Sequence, residues 1–263
     1  MENLLEVRDL KVWFPIRRGI FSRPVGWVKA VDGVSFDLRR GETLGVVGES
    51  GCGKSTTARA VLGLVRPRSG TVAFAGRDMR DWARREYHRR VQVVFQDPLA
   101  SLNPRHTVRE ILTEGMLYHG LCRKAEARDR AAGLLADVGL PADILDRYPH
   151  EFSGGQRQRI CIARAVALRP ELLICDEAVS ALDLSIRAQV LELLGELKRR
   201  MGLSYLFITH DLGVVQHVAD RVLVMNRGRI IEQGTCGEVL RDPKEEYTRY
   251  LMAAVPKIGK PLV

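Results

Sequence analysis

The chain has 263 residues, which suits one or two domains, and 46% of them are hydrophobic, enough to bury a sizeable core. The net charge is +9. The sequence contains no apolar run of about 18 or more residues and no charged-then-apolar leader pattern, which excludes a bilayer-spanning helix and favours a cytoplasmic protein. The five cysteines lack paired spacing, so neither a disulfide framework nor a zinc site is indicated.

The first part of the chain is predicted to form strands, beginning with the alternating segment 34–38 and the mostly apolar segment 43–47. A helix begins after Lys54, with Pro67 and Gly70 ending that region, and strands at 71–74 and 91–95 follow. The densest basic run, from Arg77 to Arg90, favours a solvated helix face. The alternatives are a surface for anionic lipid headgroups or, less favoured, for nucleic acid, and we expect no nucleic-acid partner.

After Gln96 the pattern changes to helices at 107–118 and 123–138, within a helical insertion that runs to about Glu151. Helix and strand then alternate, with helices predicted at 155–168, 185–200 and 211–219 and strands at 172–176, 205–208 and 221–225. Such alternation indicates a largely parallel α/β sheet. The tail after Val255 is expected to fray.

A phosphate-binding motif, G-x-x-x-x-G-K-[ST], lies between the strand 43–47 and the following helix, which is the context that the motif requires. Its backbone N–H groups would wrap a β-phosphate, Lys54 would bridge the β- and γ-phosphates, and Ser55 would ligate Mg²⁺. The predicted nucleotide-binding residues of this loop are Gly48, Glu49, Ser50, Gly51, Cys52, Gly53, Lys54, Ser55 and Thr56.

An acidic strand end complements this loop. Four apolar residues, 172–175, are followed by Asp176 and Glu177. An acid after an apolar strand is weak evidence alone, but it is strong beside a phosphate loop. Asp176 would hold Mg²⁺ through water, and Glu177 would polarise the attacking water as general base. The alternative for Glu177 is a structural ion pair.

Two further polar residues end predicted strands. Gln96 closes the strand 91–95, where its amide can touch Mg²⁺ or water and sense the helical insertion. His210 follows the strand 205–208, and a lone histidine at a strand end is more often structural. The segment Ser153-Gly154-Gly155-Gln156 begins the helix predicted at 155 and forms a second helix-N-terminal anion site. By itself it is an ordinary N-cap, but it stands between the insertion and the acidic strand.

In this order the motifs resemble the ATP-binding-cassette (ABC) ATPase family over nearly the whole chain. The resemblance implies an α/β P-loop NTPase fold with a RecA-like core, an N-terminal antiparallel β subdomain and an α-helical subdomain insertion. It also implies one domain over residues 1–263. In that domain the β subdomain and RecA-like core consist of residues 1–95 and 154–240. The helical signature subdomain consists of residues 96–153, and a short C-terminal helix and tail follow at 241–263.

The resemblance also assigns roles to residues, with ATP and Mg²⁺ as cofactors. Glu177, His210 as the switch and Gln96 would be catalytic, and Ser55, Gln96 and Asp176 would hold the metal. The signature residues Ser153, Gly154, Gly155 and Gln156 would contact nucleotide, as would Asp183, which belongs to a loop that contacts the other protomer. Phe14 would stack on adenine. Trp27 is its rival, because the segment 15–28 looks inserted.

Four segments resemble the sequences of the dipeptide/oligopeptide importer ATPases, a subfamily that includes nickel importers. These segments are 29–35, 94–104, 148–153 and 247–256. The resemblance implies a pair of non-identical ATPases, of which this chain would be the second. It also implies two integral-membrane permease subunits and an extracytoplasmic substrate-binding protein, with the chain peripheral at the cytoplasmic face of the inner membrane. Phe152 stands where the wider family usually has Leu, a swap typical of this subfamily, and Ala178-Val179 stands where Pro-Thr is commoner, without loss of chemistry.

The implied mechanism has two protomers closing head to tail over two ATP molecules, so that the signature of one caps the γ-phosphate held by Lys54 of the other. A soluble ABC ATPase of a multiprotein complex is an alternative. A nucleotide-binding regulatory subunit without hydrolysis is another, against which intact Gln96, Glu177 and His210 argue.

Overall fold

The computed structural model describes residues 2–18 and 23–253, which form a mixed α/β fold. The tail predicted after Val255 lies outside these residues. The strands are β1 (Asn3–Arg18), β2 (Arg23–Arg39), β3 (Thr43–Val47), β4 (Ser69–Phe74), β5 (Arg77–Asp78), β6 (Val91–Val94), β7 (Leu172–Asp176), β8 (Ser204–Ile208), β9 (Arg221–Asn226) and β10 (Arg229–Thr235).

The helices alternate with these strands after β3. They are α1 (Lys54–Val61), α2 (Arg84–Arg90), α3 (Pro98–Ser101), α4 (Val108–Tyr118), α5 (Ala127–Asp137), α6 (Gly154–Val166), α7 (Leu184–Met201), α8 (Leu212–Val218), α9 (Cys236–Arg241) and α10 (Glu246–Ala253). Short 3-10 turns cover Met79–Asp81, Lys124–Glu126, Ala142–Asp146 and Pro149–Glu151. Within the described ranges, we find no helix with the length and apolar character needed to cross a membrane.

The strands form two sheets, with the orders β2-β1-β4-β5 and β10-β9-β3-β8-β7-β6. In the larger sheet β3 pairs with β9 and β6 pairs with β7 in parallel, while β10 pairs with β9 antiparallel. Every residue of β3, β7 and β8 is buried, as expected for strands covered on both faces.

By its contacts the chain divides into two compact units. The helical unit contains residues 2–5, 38–42 and 73–206, and the loop unit contains the described residues of 6–37, 43–72 and 207–253. In the helical unit Met116, Cys122, Ala167 and Leu168 form one apolar cluster. In the loop unit the cluster consists of Val47, Leu212, Val215, Val222, Val224 and Val239.

Most predicted elements are confirmed, and the differences lie at their ends and in the N-terminal region. The strands predicted at 43–47 and 172–176 match β3 and β7. The strand predicted at 91–95 ends at Val94, and the helix predicted at 123–138 is a 3-10 turn followed by α5. The N-terminal region differs most. In place of the single strand predicted at 34–38, it contains β1 and β2, which extend over 16 and 17 residues.

The basic run from Arg77 to Arg90 is largely paired or packed. Arg80 pairs with Asp78, their side chains 2.7 Å apart, and the Arg90 guanidinium lies over the Trp82 ring. Trp82 and Tyr87 both pack edge-on against Phe74, so these aromatic rings stabilise the local core. This arrangement supports a structural role for the run.

An ion-pair network holds the start of β7 in the helical unit. Glu171 accepts hydrogen bonds from Arg40, at 2.6 Å, and from Arg90. Burial would raise the pKa of the Glu171 carboxyl, but these two bonds outweigh burial and hold the pKa below its usual value. The network therefore anchors the strand that leads to Asp176.

Candidate active site

The phosphate loop joins β3 to α1 in the loop unit, and only glycine fits at two of its positions. A Cβ at Gly48 would lie 2.2 Å from the Met225 carbonyl oxygen, and one at Gly53 would lie 2.3 Å from the Ala30 carbonyl oxygen. Gly53, at a φ of 112°, is also the N-cap of α1, so the N–H groups of the first helical turn face the loop. This cradle of backbone N–H groups fits a polyphosphate.

The Lys54 side chain lies inside this loop and is only 4% exposed. Its ammonium donates to the carbonyl oxygens of Gly48, at 2.6 Å, and Glu49, at 2.8 Å. The Cys52 thiol is buried beside it, with Sγ 3.7 Å from Nζ. The loop is held from outside by the Gly228 N–H, which donates to the Cys52 carbonyl at 2.8 Å. A buried ammonium surrounded by backbone groups is suited to binding phosphate oxygens.

Replacing Gly53 with Ala should destabilise the chain more than replacing Gly51 with Ala. Both glycines have positive φ, so both variants carry backbone strain of about 1–3 kcal/mol. A Cβ at Gly51 meets nothing within 4 Å, whereas one at Gly53 overlaps Ala30. We therefore expect Gly53→Ala to lower the free energy of unfolding by about 1–3 kcal/mol more, measured by urea denaturation. Equal losses in the two variants would contradict this packing.

His210 lies at the same sheet edge as the phosphate loop within the loop unit. The Thr209 N–H donates to the Val46 carbonyl at 3.2 Å, which brings the end of β8 beside the end of β3. Asp211 then caps α8 by accepting from the N–H of Gly213 at 2.9 Å. The exposed His210 is therefore held between two anchored residues, close in the fold to the start of the loop.

The two adenine-stacking candidates differ in their surroundings. Trp27 contacts Trp13, with ring centroids 6.5 Å apart, and the Arg68 guanidinium lies 4.5 Å from the Trp27 ring centroid. Successive residues of a strand point to opposite faces, so Phe14 lies on the face of β1 away from Trp13. The Phe14 side chain is 42% exposed. Trp27 is 44% exposed, so both side chains are open to solvent and both remain candidates for adenine stacking.

In the helical unit, the predicted catalytic and metal-binding residues follow two paired parallel strands. Val94 of β6 lies opposite Cys175 of β7, so the chain leaves both strands at the same sheet edge. Gln96 is exposed there, and Asp176 is buried. A buried carboxylate and an amide at one edge are suitable oxygen ligands for Mg²⁺.

Glu177 has a backbone φ of 53°, in the left-handed region that glutamate seldom adopts. Its carbonyl accepts the Ser180 N–H at 3.1 Å, so the turn after β7 is closed behind it. Asp9, Ala75, Arg169 and Arg227 also have a positive φ, so this conformation marks a tight turn and does not by itself mark a functional site. No local sequence pattern predicts this conformation.

The signature segment forms a complete helix cap. The Ser153 hydroxyl accepts the Gln156 N–H at 3.3 Å, and the Gln156 side chain accepts the Ser153 N–H at 3.0 Å. The N–H groups of Gly154 and Gly155 lie in the first turn of α6, where a helix provides no acceptors of its own. A Cβ at Gly155 would lie 2.6 Å from Ile186 of α7, the helix that Asp183 caps. The structure thus brings the signature and the Asp183 loop together within the helical unit.

One residue of the loop unit was not assigned a role from the sequence. The Tyr247 hydroxyl of α10 accepts the N–H of Glu49, in the phosphate loop, at 3.1 Å. The two residues are 198 positions apart, so only the fold reveals the contact.

The chain is similar to known proteins over most of its length. The ABC transporter family model matches residues 31–180. The chain is 55% identical to the oligopeptide transport ATP-binding protein OppF of Salmonella typhimurium, over 96% of the chain and 78% of that protein. It is 52% identical to the oligopeptide transport ATP-binding protein AppF of Bacillus subtilis, over 98% of the chain and 80% of that protein.

A solved structure of similar fold is cbiO1 from Clostridium perfringens, described as part of the ABC transporter complex cbiONQ. It matches with a TM-score of 0.77 and 28% identity, over 98% of each chain. The predicted fold class is therefore confirmed. A family model that spans more than half of the chain, together with these relatives of more than 50% identity, shows that the chain belongs to the ABC transporter family, as one of its ATPase subunits.

Proposed function

We propose that the chain powers an importer of oligopeptides or dipeptides, as one of two non-identical ATPase subunits. The relatives OppF and AppF, which are oligopeptide transport ATP-binding proteins, support the cargo class. The chain would act at the cytoplasmic face of the inner membrane, held there by two permease subunits that receive cargo from an extracytoplasmic binding protein. We also propose that residues 96–153 act as one helical signature subdomain.

The proposed roles follow from the chemistry of each residue. Bound ATP supplies the phosphoryl group that is transferred, and Mg²⁺ neutralises its charge. Lys54 and the loop N–H groups hold the β- and γ-phosphates, and Phe14 stacks on adenine. The metal would be held by Ser55, Gln96 and Asp176. Glu177 accepts a proton from the attacking water, and His210 orients the γ-phosphate.

The proposed permease contact is a groove in the helical unit, and this groove is the observation that carries the transport assignment. It encloses about 460 Å³, mostly between apolar side chains. Its lining residues are Gln92, Val93, Ile111, Leu112, Glu114, Gly115, Tyr118, Arg164, Ala167 and Leu168.

The groove fits a short amphipathic helix from a permease. Ile111, Leu112 and Leu168 provide the apolar floor, and Glu114 and Arg164 supply one charge of each sign. Tyr118 is 65% exposed beside it, and its ring is supported by the Arg85 guanidinium 5.0 Å from the ring centroid. An exposed but supported aromatic residue beside an apolar groove is typical of a binding hot spot.

Replacing Tyr118 with Ala should therefore weaken permease binding without affecting nucleotide binding. Losing such a hot spot costs about 2 kcal/mol or more, a decrease of about thirtyfold in affinity. The measurement is recovery of integral-membrane subunits with the tagged chain, alongside the affinity of the same variant for ATP. Leu64→Ala is the control, because Leu64 is also exposed and apolar but belongs to the loop unit.

If both variants retain the membrane subunits equally, the groove is not the docking site. If the wild-type chain recovers nucleic acid or soluble proteins in place of membrane subunits, the transport assignment is wrong. The alternative cargo, nickel, is distinguished by whether peptides or Ni²⁺ raise the melting temperature of the associated binding protein.

A further inference from the structure

The contact between Tyr247 and the phosphate loop involves the same peptide group that holds Lys54. The N–H of Glu49 donates to the Tyr247 hydroxyl at 3.1 Å. The carbonyl of that peptide group belongs to Gly48, and it accepts from the Lys54 ammonium at 2.6 Å. One planar peptide group is therefore bonded at both ends, by a tyrosine hydroxyl on one side and by the phosphate-binding lysine on the other.

Tyr247 is itself held in place by α10. Its side chain and that of Leu251 pack against the buried cluster that contains Val47, the residue directly before Gly48. The start of α10 is held by Glu232, whose carboxylate accepts the N–H of Lys244 at 2.8 Å and that of Glu245 at 3.2 Å. Helix, cluster and loop are thus connected through contacts within the loop unit.

The hydroxyl remains protonated at neutral pH, since burial raises the pKa of Tyr247 above its usual value. Its oxygen accepts from the Glu49 N–H, and its proton is available to the Glu49 carboxylate, which also hydrogen-bonds to this hydroxyl. Hydrogen bonds at the two ends of a peptide group polarise it in the same sense and strengthen each other. Loss of the tyrosine oxygen would therefore weaken the hydrogen bond from Lys54 to the Gly48 carbonyl. It would also leave the plane of the peptide group free to rotate.

We propose that Tyr247 is a positioning residue for nucleotide binding: through the Gly48–Glu49 peptide group it orients the carbonyl that holds Lys54, so that α10 sets the geometry of the phosphate loop. Tyr247 does not touch the nucleotide in this scheme. It keeps the loop in one conformation before ATP arrives, which lowers the entropic cost of binding. The proposal rests on the assignment of Lys54 as the phosphate-binding lysine.

The test compares Tyr247→Phe with Tyr250→Phe in the full chain. Tyr250 is on the same helix, is 60% exposed and stacks on Tyr247, so the control removes one hydroxyl from the neighbouring ring. Two quantities are measured: the rate of hydrogen exchange at the Glu49 amide without nucleotide, and the dissociation constant for ATP. The melting temperature is recorded for both variants.

We expect Tyr247→Phe to speed exchange at the Glu49 amide and to weaken ATP binding about three- to tenfold, the size expected for one neutral hydrogen bond. Its melting temperature should lie only about 2–4 °C below that of Tyr250→Phe, because the ring remains in the cluster and one hydrogen bond is lost. In a Lys54→Ala background, adding Tyr247→Phe should cause no further loss of ATP affinity.

The proposal would be overturned if Tyr247→Phe kept the wild-type exchange rate at the Glu49 amide and the wild-type affinity for ATP. It would also be overturned if Tyr250→Phe lost as much ATP affinity, or if Tyr247→Phe caused its full loss of ATP affinity in the Lys54→Ala background. These results are distinct from failure of the assignment on which the proposal rests, which would be seen as unchanged ATP affinity in Lys54→Ala itself.

Discussion

Replacing Glu177 with Gln should slow ATP hydrolysis about 10²–10⁴-fold, the range for losing a general base, and leave ATP binding intact. The amide has nearly the same size and retains the hydrogen-bonding oxygen, but it cannot accept a proton from water at neutral pH. In the proposed head-to-tail pair, ATP would stabilise the closed state and hydrolysis would reopen it, so the variant should accumulate as an ATP-loaded complex with its partner cassette. Size-exclusion chromatography with ATP would detect that complex.

Glu192→Gln is the matched control, because Glu192 is an exposed glutamate of α7 in the same unit. It should hydrolyse ATP at the wild-type rate in the transporter purified with its membrane subunits. Normal turnover in Glu177→Gln would show that Glu177 is not the general base. The alternative, that Glu177 forms a structural ion pair, would then be favoured. A variant that lost ATP binding as well would indicate that the substitution disturbs the strained turn at this position.

The buried strands and the loops that follow them could be predicted because their signals are local. β3 and β7 are short, apolar throughout and followed at once by the residues that would bind phosphate or metal. The cap at Ser153 is equally local, since its partner Gln156 is three positions away. Such patterns specify both the element and the chemistry at its end.

What could not be predicted depends on contacts between distant residues. β10 reads as a mixed segment with a bulge, and its pairing with β9 determines that it is a strand. The surroundings of Trp27 depend on Arg68, which only the folded chain brings beside it. The link from Tyr247 to Glu49 likewise joins residues that are 198 positions apart.

Replacing Gly154 with Asp should abolish hydrolysis while the chain keeps its own affinity for ATP. The signature would complete the site of the partner cassette, whereas Lys54 belongs to the chain's own site. A carboxylate at the start of α6 would occupy the helix N-terminus and repel the partner's γ-phosphate. Two unit charges about 4 Å apart repel by about 4 kcal/mol at an effective dielectric constant of about 20, which corresponds to about a thousandfold loss of ATP-dependent association.

Gly154→Ala separates this charge effect from packing. A Cβ at Gly154 meets nothing within 4 Å, so alanine adds no clash and leaves the first-turn N–H groups uncharged. We expect this control to associate and hydrolyse nearly as the wild type does, while Gly154→Asp binds ATP but neither associates nor turns over. If Gly154→Asp instead loses its own ATP affinity, the signature acts on the nucleotide of its own chain. The head-to-tail arrangement would then be wrong, because a signature that serves a partner has no effect on binding to the isolated chain.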